Sequence, residues 1–106
     1  MELQEAAADL VHRLRRWSQR SWDVAAAGED AGTRADATHT AVQRLADLAA
    51  LAERRPPRDV PRLETDAVLA DQLAVTAADV VRTGDPAAVR TATAELARLR
   101  RALGLR

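Results

Sequence analysis

The chain has no cysteine, phenylalanine or tyrosine, and its 106 residues include no isoleucine, lysine or asparagine either. Each absence removes something. Without cysteine there is neither disulfide nor thiolate chemistry, which fits a reducing cytoplasm. With the large β-branched and aromatic residues reduced to valine and two tryptophans, little favours strands. All sixteen basic residues are arginine. The scarce residue types are those of A/T-rich codons, which points to a GC-rich, bacterial genome. No apolar run approaches the roughly 20 residues needed to span a bilayer. The amino terminus, Met1-Glu2-Leu3-Gln4-Glu5, lacks the basic-then-apolar order of a signal peptide. The expectation is a soluble, cytoplasmic protein with no membrane association. Formal net charge is zero, sixteen acids against sixteen bases, so no global field draws the chain to nucleic acid or lipid.

What is there is alanine, leucine, valine and arginine, with 47% apolar and 30% charged residues. That composition is globular, and alanine, leucine and arginine are strong helix formers. A chain of this length is the usual size of one domain, and two cores would each be too small, so we read residues 1–106 as a single all-α domain.

Four helices follow from apolar periodicity and its punctuation. The first covers Glu2 to about Ala27, its seam running through Leu3, Ala7, Leu10, Leu14, Trp17, Ser21 and Val24. Ser18 or Ser21 is positioned to cap a new helix, so a break belongs near Ser18. Gly28–Gly32 is the first loop, and Thr33 with Asp36 three residues on is a weak capping box. The second helix runs to about Arg55, where Pro56-Pro57 ends it. The segment RRPPRDVPRL (54–63) holds three of the four prolines and should be extended and stiff. The third helix spans about Thr65 to Thr83, with Gly84 as its left-handed stop. Asp85-Pro86 opens the fourth as N-cap and first helical residue, and Gly104-Leu105 closes it as a Schellman ending. Four helices with three connections predict an up-down-up-down antiparallel four-helix bundle, with helix one broken near Ser18. A core so rich in alanine buries little area per residue, and a homodimer would add to it.

Reaction chemistry is scarce. Asp9-x-x-His12 and Asp36-x-x-His39 repeat the carboxylate-x-x-His spacing by which helical bundles hold metal. Here the carboxylates are Asp rather than Glu, and Asp9 and His12 lie opposite the apolar seam. Both pairs read as solvated polar pairs, and no metal or cofactor is assigned. Ser18, Ser21 and His12 lack a third residue to orient a base. There is no phosphate-binding glycine loop and no nucleophile elbow. The protein reads as no enzyme.

Two features remain. The stretch HRLRRWSQRSW (12–22) holds both tryptophans and four arginines without an acid. Trp17 falls on the seam and Trp22 off it, so Arg13, Arg16, Arg20 and Trp22 form a candidate partner-binding surface of residue types enriched at interface hot spots. The second feature depends on topology. An up-down bundle would gather Arg54, Arg55, Arg58 and Arg62 with Arg98 and Arg101 at one basic pole, while residues 64–83, with four acids against one arginine, make an acidic face. The expected function is a small non-catalytic protein-interaction module, adaptor or regulatory. The alternative is nucleic-acid or phosphate binding through the arginine pole.

Overall fold

In the computed structural model, which describes residues 2–28 and 32–105, every regular element is a helix. These are α1 (Leu3–Leu14), α2 (Gln19–Asp23), α3 (Arg34–Ala52), α4 (Val68–Thr83) and α5 (Pro86–Ala102). Part of the Gly28–Gly32 loop lies outside the described residues. No helix among them is long and apolar enough to cross a membrane. A single buried cluster takes side chains from all five helices, with Leu10, Leu14, Trp22, Leu45, Leu69, Leu73, Leu96 and Leu103 its largest members. The Cα radius of gyration is 12.9 Å, equal to the roughly 13 Å expected for a compact chain of this length.

The capped helix ends follow the sequence closely, because caps are local chemistry, whereas α4 begins at Val68, three residues past Thr65, with no side-chain cap. Thr33 accepts from the Asp36 amide at 3.1 Å, and the Asp36 carboxylate accepts from the Thr33 amide at 2.9 Å, a complete capping box. Gly32, at φ +96°, must be glycine because a Cβ there would run into that carboxylate. Asp85 caps α5 through the Ala87 amide at 3.0 Å. The last turn closes with Gly104 donating to the Arg101 carbonyl and Leu105 to that of Arg100, the Schellman pattern. α3 ends in the same pattern: Arg54 donates to Leu51 and Arg55 to Ala50, with Arg54 at φ +56°, where glycine is usual.

The first helix divides as its serines suggest, and earlier than Ser18. The turn after Leu14 tightens through Arg16 to Arg13 and Trp17 to Leu14 hydrogen bonds, Ser18 is extended, and its hydroxyl caps α2 from the Ser21 amide. After α2 the chain pairs briefly with itself at Ala25 and Thr33, and the Ala27 amide donates to the α5 carbonyl of Ala102 at 2.8 Å.

The topology differs from the up-down-up-down expectation. α4 and α5 each pack against both α1 and α3, whereas α1 and α3 do not pack against one another. Contacts along the helices give the directions. Arg15 near the end of α1 bonds Asp71 near the start of α4, so these two are antiparallel. Leu3 lies beside Val89 and Asp9 bonds Arg100, so α1 and α5 are parallel. Arg44 reaches Glu95 while Leu51 lies beside Ala88, so α3 and α5 are antiparallel. α3 and α4 therefore run parallel, and the order is up, down, down, up.

The segment 53–67 makes this arrangement. It returns along the outside of α3 as a strap instead of turning at its end. Gln43 donates to the Arg58 carbonyl at 2.9 Å and accepts from the Val60 amide at 2.7 Å. A His39 ring nitrogen lies 3.0 Å from the Val60 carbonyl, and Gln72 donates to the Pro61 carbonyl. Arg62 then pairs with Asp36 at the start of α3 and with Asp66 just before α4. Val60 packs on the core between these ties. α4 and α5 follow as a hairpin through Gly84 and Asp85 alone.

Candidate interaction surface

Parallel α1 and α5 end side by side, and each carries arginine in its last turn, where cations meet the negative end of the helix dipole. This splits the pole expected from sequence. Arg98 and Arg101 lie at the α5 end. Arg54 and Arg55 lie at the opposite end, beside the start of α5, and Arg58 sits at mid-height on the strap. Arg62 does reach the α5-terminal end, but it is spent on Asp36 and Asp66. In return the same end receives Arg13, Arg16 and Arg20, so three of the four expected contact residues join three of the six expected pole residues.

Trp22 corrects the other expectation. It is 1% exposed and the largest fully buried side chain, so it offers no contact surface. Its indole N–H finds no hydrogen-bond partner among the described residues. Trp17, expected in the core, is the half-buried one. The rings meet edge to face with centroids 5.0 Å apart and an interplanar angle of 75°. Arg34, which the sequence did not single out, stacks over Trp17 at 5.0 Å and donates to the Ser21 carbonyl. An arginine at the first position of a helix gives no sign of such a role; only the fold brings Trp17 to it.

The geometry of the arginine end is organised around Asp9. Arg100 donates to its carboxylate at 2.8 Å and Arg13 lies 3.6 Å from the same oxygen. These hydrogen-bonding and charged neighbours, Arg100 first, hold Asp9 below the usual carboxylate range. One turn beyond Arg13 stands Arg16, beside Arg100 stands Arg101, and on α2 stands Arg20. All three are exposed and form no ion pair among the described residues. The neighbouring acids are already engaged: Asp71 by Arg15, Asp23 by Gln19, and Asp66 by Gln19 and Arg62.

The two carboxylate-x-x-His pairs are separated by this arrangement. Asp9 serves arginine, Asp36 serves the Thr33 cap and Arg62, and His39 serves the strap. No group of three or more metal-ligating side chains comes together among the described residues. Ser18 and Ser21 face each other at 3.4 Å across the first turn of α2, where Ser18 is the cap. Set against protein-family models, curated proteins and solved structures, the chain matches none of them.

Proposed function

We propose that this is a small non-catalytic interaction protein, an adaptor or regulatory subunit, built as one domain whose four long helices form a bundle with a single crossover. The observation that carries it is the set Arg16, Arg20 and Arg101, gathered at one end with no ion pair among the described residues. Other polar side chains are used by the fold itself, Asp36 as a cap, Gln43 as a strap tie and Arg62 in ion pairs, while the exposed Arg54, Arg58 and Arg90 lie away from this end. Arginine is enriched at interfaces and pairs with carboxylates in a fixed bidentate geometry. The test is affinity capture from native lysate with the wild-type protein and with the triple variant R16E/R20E/R101E. Partners recovered by the first and lost by the second, at equal melting temperature, support the reading. Identical recovery by both removes it.

One observation favours a second reading, binding of nucleic acid or phosphate. Arg13 and Arg100 already close on a single oxyanion, the Asp9 carboxylate, and Arg16 and Arg101 could meet a phosphate in the same way. That reading requires affinity for DNA or RNA that falls steeply with salt.

A further inference from the structure

We infer that the arginine end takes a short acidic polypeptide segment of a partner protein, a refinement that rests on the interaction reading above. Charge complementarity is the first argument. Arg16, Arg20 and Arg101 are exposed guanidiniums on three different elements, α2, α5 and the turn after α1, and none has a carboxylate among the described residues. The second argument is what borders them. Asp23, Asp66 and Asp71 stand on the α4 side of the same end, Asp66 paired with Arg62 and Asp71 with Arg15, so the unpaired positive charge stops there and aspartates fence it.

That fence decides between polyanions. A duplex carries one negative charge per about 1.7 Å of axis, and laid across this end it would bring phosphates over the aspartates as well as the arginines. The zero net charge supplies no compensating long-range attraction. A peptide presents its charges sparsely. An extended chain advances about 3.3–3.6 Å per residue, so alternate acidic residues can meet the arginines while the intervening ones face the fence. The Asp9 carboxylate, closed between Arg13 and Arg100, shows within the molecule how this surface holds such a group.

The test measures fluorescence anisotropy of a labelled twelve-residue peptide of alternating Glu and Gly, at low salt. Parallel titrations use a labelled twenty-base-pair DNA duplex. The proteins are wild type, R16E/R20E/R101E, and a control, R54E/R58E/R90E, whose exposed arginines lie away from this end. The expected result is saturable peptide binding, weakened at least about tenfold in the first variant and changed less than about twofold in the control. No peptide binding, equal weakening by both variants, or tighter binding of the duplex than of the peptide would each overturn the inference. The lysate capture separates the two levels. If capture depends on the three arginines but the peptide does not bind, the interaction reading stands and the acidic-segment inference falls.

Discussion

The Val60 amide donates to the Gln43 side-chain oxygen at 2.7 Å, and this bond fastens a proline-rich strap to the flank of a helix. Prolines at 56, 57 and 61 remove three backbone donors from the strap, and side chains reaching out from α3 and α4, together with its own Arg62, attach it. Gln43 supplies both an acceptor and a donor to it.

Replacing Gln43 with alanine leaves the part-buried Val60 amide unpaired, which costs about 1–3 kcal/mol. Urea denaturation should show that loss. Limited trypsin digestion of the folded variant should give faster cleavage after Arg58, while the Arg55–Pro56 bond stays intact.

The two tryptophans should respond oppositely to substitution. Trp22→Ala empties a fully buried site and should cost about 3–5 kcal/mol. Trp22→Phe also removes the buried indole N–H that has no partner among the described residues, so it should cost much less, within about 1.5 kcal/mol. Emission spectra check the placement: the variant lacking Trp22 retains only the redder component of the half-buried Trp17.

Arg54 pays a steric cost for its left-handed backbone, about 1–2 kcal/mol for a residue with a Cβ. Glycine recovers most of this and gives back part as chain entropy. Arg54→Gly should stabilise the protein by about 0.5–1 kcal/mol, read as a raised melting temperature. Unchanged or lower stability would show that the Schellman turn is not strained there.

Acid should loosen the start of α3. Asp36 is held below the ordinary carboxylate range, first by the Thr33 amide and then by Arg62. A carboxylate whose folded pKa is depressed gives stability that is present above its unfolded pKa of about 4 and lost as pH falls through the lower folded value. In Asp36→Ala the stability difference between pH 7 and pH 2 should therefore be smaller than in wild type, with the divergence confined to the region below pH of about 4. Denaturation midpoints across that range check it.

Much of the secondary structure was legible because caps and stops are written within four residues of where they act. Thr33–Asp36, Asp85–Pro86 and Gly104–Leu105 each specify a boundary with no help from the rest of the chain. The seam of the first helix failed at Trp17 for a related reason. A heptad count assumes one continuous helix, and the tightened turn after Leu14 with the Ser18 cap resets the phase, so Trp17 packs on the core half-buried and Trp22 enters it. The prolines make the strap legible as extended and stiff, but not the direction in which it runs. Fifteen residues separate α3 from α4, and at about 3.1 Å per residue in a polyproline-like path they reach some 45 Å. The nineteen residues of α3 span only about 28 Å. The length to run back along the helix is thus present in the sequence, and by using it the strap turns α4 and α5 over, which places Arg98 and Arg101 at the opposite end from Arg54 and Arg55. Arg34 over Trp17 could not be read at all, since both positions depend on how α2 folds back.

Parallel α3 and α4 also set an order of assembly. Two neighbouring helices joined by a tight turn can zip together early, as α4 and α5 can across Gly84-Asp85. α3 has no such route to its neighbour, because their pairing requires the intervening fifteen residues to be laid down and pinned first. The chain should fold more slowly than an all-hairpin helical protein of equal length, through a transition state in which the C-terminal hairpin is formed and the strap is still free.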